Sequence, residues 1–131
     1  MQTTEAQDEL YGGADLHGNN VFLTLCDRHG QRVMERRVKA NLSAVNQAIG
    51  PYWERVRRLA VESTYNWYWL VDGLRGQGRD VRLARNGSVL SFYNSRGWLS
   101  GEITSPHSPL VGQITFQQGS AVLLWRANRG I

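Results

Sequence analysis

Apolar and polar residues alternate with a period of two through the early chain, then change to a helical period. Leu10 to Leu16 ("LYGGADL") predicts a first strand. Val21 to Cys26 predicts a second, with Val21, Leu23 and Leu25 on one face and Phe22, Thr24 and Cys26 on the other. The turn chemistry of Asp27 to Gly30 ("DRHG") leads into a third strand over Arg32 to Val38. Asn41 is placed to cap a helix running through Ile49, with Leu42, Val45 and Ile49 at helical spacing and Gly50-Pro51 as its stop. Arg58 to Glu62 predicts a fourth strand. Ser63 or Thr64 then caps a second helix to about Arg75, whose Trp67, Leu70, Val71 and Leu74 recur at i, i+3, i+4 and i+7. Asp80 to Arg85 predicts the fifth strand.

Three strands in meander followed by helix, strand, helix, strand describe an α/β domain. Its sheet is mixed: the first three strands are antiparallel, and the later ones return through helical crossovers. The ribonuclease-H-like (RuvC-like) fold has this order, with its fourth strand beside its first. Residues 10–85 are therefore expected to form a partial domain of that kind, and residues 1–9 a disordered N-terminus. Residues 86–131 read as an atypical, irregular C-terminal tail, rich in Gly and Ser, with at most weak β-structure in "SVLSFY" and "AVLLW".

Composition narrows the function classes. The chain has 131 residues, 41% hydrophobic and 20% charged, enough for one core without disulfides. No apolar run is long enough to span a bilayer, and the polar start (Met1 to Glu9) is unlike a signal peptide, so no membrane partner is expected. With Cys26 as its single cysteine, a cytoplasmic setting is the expectation. Net charge is +4, and arginine supplies all the cations but Lys39. The guanidinium fork suits phosphate, so Arg36, Arg37, Lys39, Arg57 and Arg58 are candidate nucleic-acid contacts as well as solvated faces. His17, His29 and His107 have no ligand spacing, and "GLRGQG" stands after a helix rather than before one, where a phosphate loop belongs.

Two carboxylates carry the candidate chemistry. If strands one and four pair, Asp15 and Glu62 sit side by side. Such a pair repels itself unless a cation bridges it, and magnesium accepts one or two protein carboxylates with water and phosphate. Asp15 and Glu62 are thus the candidate catalytic and metal-binding residues. Taken singly, Asp15 also reads as a turn former and Glu62 as an acid favouring the next helix's N-terminus. Glycines before Asp15 suit close approach by another backbone. Tyr65, Tyr68 and Trp69 form a second aromatic stripe on the second helix, a candidate interaction surface for bases, a dimer or a neighbouring segment.

"YGGADLHGNNVFLTLCDRHGQRVMERRV" and "LAVESTYNWYWLVDGLRGQGRDVRLA" together resemble the N-terminal part of the DEDD-type insertion-sequence transposases, the insertion-sequence one-hundred-ten family. The resemblance spans about residues 10–84, and "VESTYNWYWLVDGL" is its most specific piece. It implies a RuvC-like domain, magnesium dependence and DNA transposition and recombination guided by a structured RNA, with the first two family acids on Asp15 and Glu62. DNA, a structured guide RNA, and a second copy or a full-length transposase are the implied partners. The family continues past the fifth strand with two more aspartates in a "T-D-x-x-D-A"-like motif, whereas residues 85–131 contain no aspartate. The expectation is a truncated or frame-disrupted transposase fragment, inactive alone. The alternative is a non-catalytic remnant that binds nucleic acid or a transposase.

Overall fold

The computed structural model describes residues 9–63, 66–84, 90–93, 110–117 and 120–127. Its centre is a five-stranded sheet built from β1 (Leu10–His17), β2 (Asn20–Asp27), β3 (Arg32–Lys39), β4 (Val56–Glu62) and β5 (Val81–Ala84). The strand order is β3-β2-β1-β4-β5. The first three strands are antiparallel, while β4 runs parallel to β1 and β5 parallel to β4. This mixed α/β arrangement is compatible with a ribonuclease-H-like fold at a coarse level.

Local chemistry sets the connections. Gly18, at φ 61°, turns β1 into β2. The Asp27 carboxylate accepts from the backbone N–H groups of His29 (2.8 Å) and Gln31 (3.0 Å), which closes the turn into β3. Asn41 caps α1 (Leu42–Ile49) by accepting from the Ala44 N–H at 2.7 Å. After Gly50-Pro51 the chain does not leave the helical path but tightens into a 3-10 helix, Gly50–Arg55, because proline's fixed φ suits a first turn. The second helix, α2 (Tyr68–Gly76), starts later than the Ser63 or Thr64 cap would give. Asn66 holds φ 60°, a left-handed conformation that a right-handed helix cannot run through.

The sheet is covered on both faces. Leu10, Ala14 and Leu16 of β1, with Val21, Leu23 and Leu25 of β2, pack against Val45 and Ile49 of α1 and Leu70, Val71 and Leu74 of α2. The opposite face carries Tyr11, Cys26 and Ala60, which are covered by a second sheet. That sheet comprises β6 (Leu90–Tyr93), β7 (Leu110–Gln117) and β8 (Ser120–Ala127), antiparallel in the order β6-β7-β8. The tail is thus not irregular across these segments. Alternation in β8 turns Ala121, Leu123 and Trp125 inward, and Ile114 and Phe116 of β7 join them. Burial of that apolar row outweighs the Gly/Ser composition that argued for weak order.

Gly13 is where the two sheets touch most closely. A Cβ built there would stand 2.3 Å from Ala121 Cβ and 2.9 Å from the Phe116 ring. The close approach that requires this glycine is made by the Ala121 and Phe116 side chains of the tail rather than by another backbone. The Ala121 N–H reaches Thr24 Oγ1 at 3.4 Å, and Ser120 Oγ donates to Glu35 at 2.6 Å. Tyr11 meets Trp125 edge-on, with centroids 5.3 Å apart, and donates to Glu9 at 2.9 Å. Glu9, at the end of the segment expected to be disordered, also pairs with Arg57 at 3.1 Å. Residues 1–8 lie outside the described residues.

Gly13→Ala should destabilise the protein by about 1–3 kcal/mol, the usual cost of an overpacked core, measured by urea unfolding. Cys26 is a second reporter: burial pushes its thiol above the ordinary range, and β8 covers it. Labelling by a maleimide should be slow in the native protein and faster in Leu123→Ala, which loosens the sheet–sheet packing. Equal labelling rates would show that the second sheet does not protect this face.

Candidate functional site

The parallel register pairs Asp15 with Glu62, one residue directly beside the other at the carboxyl ends of β1 and β4. Alternation from Tyr11 and Gly13 puts Asp15 on the face of the second sheet, and alternation from Ala60 puts Glu62 there too. Adjacent strands lie about 4.8 Å apart, so the two carboxylates are within reach of one shared ion. The same row continues across the sheet, since Asp15 pairs with Phe22 and Phe22 with Arg37. Glu62, Asp15, Phe22 and Arg37 therefore follow one another on four neighbouring strands.

The preceding row, Ala60, Gly13, Thr24 and Glu35, lies under the start of β8. The Asp15 row lies one step further along the strands. There Asp15, His17, Asn20, Phe22 and Arg37 line an open cleft of about 360 Å³. A second hollow, about 470 Å³, adjoins it across His17 and is lined by Leu16, Gly18, Asn19, Ala40, Asn66 and Trp69. Both lie at the carboxyl ends of the parallel strands, where open α/β sheets characteristically place ligands.

The other sequence-predicted residues divide by position. Lys39 pairs with Asn20 and shares the face of Arg37, while Arg36 takes the opposite face by alternation. Arg57 and Arg58 stand at the other end of β4, and four residues of strand put Arg58 about 13 Å from Glu62. Arg58 is buried and pairs with Asp80 at 2.8 Å. Its guanidinium is engaged by Asp80 and by the Arg57 carbonyl, which accepts at 3.0 Å. On α2 the aromatic stripe is not one surface: Tyr68 is exposed, whereas Trp69 packs against the helix-side core and lines the second hollow. Tyr65 lies outside the described residues. Phe22, His17 and Asn20 are the cleft residues that sequence reasoning passed over. The β1–β2 turn at Gly18-Asn19 was the signal that could have found them, since it sets the hairpin register.

The donor set suits a hard cation only in part. Two adjacent carboxylates can supply two of the oxygen ligands that magnesium takes, leaving the rest to water and phosphate. Among the described residues no group of three or more His, Cys, Asp or Glu side chains comes together to hold a metal. Burial raises the Asp15 pKa above its ordinary value, with the charge on His17 acting in the opposite direction. An ionised Asp15 is therefore costly here without a cation.

No family model matches the chain, and no curated protein matches it. Among solved structures it is similar to the ethanolamine utilization protein EutJ from Carboxydothermus hydrogenoformans, at 12% identity and TM-score 0.41, covering 90% of this chain and 52% of that one. It is similar also to YeaZ from Pseudomonas aeruginosa, at 11% identity and TM-score 0.40, covering 94% and 69%. The PPX-GPPA enzyme of Aquifex aeolicus matches at 10% identity and TM-score 0.37, covering 89% and 52%. The chain thus spans about half the length of the first and third of these structures. Among the described residues no helix is long and apolar enough to cross a membrane.

A raised native pKa gives a definite pH dependence. The stability that Asp15 contributes is complete below its unfolded pKa and is lost as pH rises through the folded value. Asp15→Asn removes that loss. Its melting temperature should exceed that of the wild type by a few degrees near neutral pH, with the gain shrinking as pH falls to about 4. A gain of equal size at both pH values would mean that the carboxylate is not strained by burial.

Proposed function

We propose that this chain is the metal-binding half of a DNA-processing site, an N-terminal fragment of a DEDD-type insertion-sequence transposase. One observation carries the reading: Asp15 and Glu62 are register partners on adjacent parallel strands and share one face of the sheet, with Asp15 lining the open cleft. Their positions coincide with the first two acids that the sequence resemblance implies. Arg37 and Lys39 add positive charge on the same face, as an anionic substrate requires.

Asp15 and Glu62 would hold one magnesium ion. A bound divalent ion in such a site supplies charge neutralisation at a phosphodiester and activation of water. The chain's own contribution is to fix the two carboxylates on a rigid ladder, exclude water on the β8 side, and offer Arg37 to a neighbouring phosphate. The described residues hold two of the four acids that the full chemistry calls for, so turnover by this chain alone is expected to be negligible. DNA is its substrate in this reading, and a structured guide RNA and a full-length transposase are its further partners.

Titration with Mn²⁺, followed by electron paramagnetic resonance, tests the site without requiring turnover. Asp15→Ala and Glu62→Gln should each weaken binding about 10-fold or more, since even groups that only orient a metal ligand are worth that much. Unchanged Mn²⁺ binding in both variants would overturn the metal site. With magnesium and supercoiled DNA, the wild-type chain should give no nicking above background. Nicking that disappears in Asp15→Ala would overturn the view that two acids are too few. A chain that binds nucleic acid but no metal would leave the non-catalytic remnant as the better reading.

A further inference from the structure

We infer that Phe22 and Arg37 form a subsite for an unpaired nucleic-acid strand, with a base on the Phe22 ring and a backbone phosphate on the Arg37 guanidinium. The inference rests on the reading above for where the reacting phosphate would lie, but the binding it describes needs no metal.

The juxtaposition carries it. Phe22 is a partly exposed aromatic one row beyond the part of the sheet face that β8 covers, and it is flanked in register by Asp15 on one side and Arg37 on the other. All three line the same cleft. Its ring stands at the edge of the covered region rather than under it. Tyr11 and Cys26, on the same face further back, lie fully under the second sheet. An aromatic beside a cation and next to an acid pair matches the repeating chemistry of a nucleotide strand, in which flat bases alternate with anionic phosphates. Arg37 supplies the fork for phosphate, and Lys39, one pleat further along β3, extends the positive face.

The shape selects against duplex. A base can stack on Phe22 only if one of its faces is free, and in a helix both faces are covered by neighbouring bases. β8 is held over the neighbouring row of the sheet by the bonds from Ser120 to Glu35 and from Ala121 to Thr24.

Fluorescence anisotropy with the full chain tests this, using a labelled oligothymidylate and a duplex of equal length in EDTA at low salt. The single strand should bind about 10-fold or more tightly than the duplex. Phe22→Leu, which keeps apolar bulk and loses the ring, should weaken single-strand binding about 5- to 100-fold, the range a stacked base contributes. Phe22→Tyr should retain it. Arg37→Ala should weaken binding and flatten the salt slope by about 0.7, the value of one phosphate contact to a single strand. The subsite is wrong if duplex and single strand bind alike, or if a folded Phe22→Leu binds like wild type. It is also wrong if ATP competes as well as the oligonucleotide, because the cleft would then hold a free nucleotide. If Phe22→Leu does not fold, the single-strand preference together with the Tyr and Arg37→Ala variants decides. Because the assay contains no metal, its failure would leave the Mn²⁺ result standing, and the reverse holds too.

Discussion

The parallel ladder between β1 and β4 is the interaction on which the rest depends. β1 is the middle strand of five and is buried from both sides, by α1 and α2 on one face and β7 and β8 on the other. A strand in that position has no room for charge along most of its length. Leu10, Tyr11 and Ala14 are at most 1% exposed, and Gly12 and Gly13 leave no space for a side chain. Only its carboxyl end emerges from cover, and there the ladder sets Asp15 against Glu62. The site is a consequence of where burial stops.

The second sheet shapes that boundary. Without β8 the row containing Gly13 and Thr24 would be open as well, and the cleft would be a broad plain. With β8 seated, the Asp15 row becomes the first partly exposed one, next to the row that β8 covers. The contact is steric more than polar. Gly13 admits Ala121 and Phe116, and the few hydrogen bonds between the sheets fix register rather than supply most of the attraction. The tail and the candidate site are therefore coupled through one small residue.

Charge is distributed along β4 in a way that separates two roles that the sequence ran together. At its start, Arg57 and Arg58 are matched with Glu9 and Asp80, and Arg79 stacks on Trp53 at 4.2 Å from the ring centroid. At its end, Glu62 joins the acid row. Arg58, near the amino end of the strand, is thus buried in the fold, whereas Arg57 and the cations of β3, an edge strand, stay at the surface. An edge strand carrying Arg32, Arg36, Arg37 and Lys39 resists pairing with another sheet while presenting positive charge beside the cleft.

Local periodicity by itself determined the five strands, the two helices and the inward faces of β1 and β2, because period two and period 3.6 are properties of neighbouring residues. It also placed Asp15 and Glu62 as a pair once the strand order was granted. What it could not determine was anything set by contacts distant in sequence. Arg58 reads like Arg37 until Asp80 and burial distinguish them. The later start of α2 depends on one left-handed residue, Asn66, whose backbone the apolar pattern does not report. The tail's strands were visible as short runs, but whether they would order depended on an apolar face elsewhere to receive them. The row from Glu62 to Arg37 likewise exists only across four strands, with a bulge between Leu25 and Cys26 shifting the register of β3. Side-chain chemistry is written locally, but which side chains become neighbours is decided by the packing of surfaces that the chain brings together only when it folds.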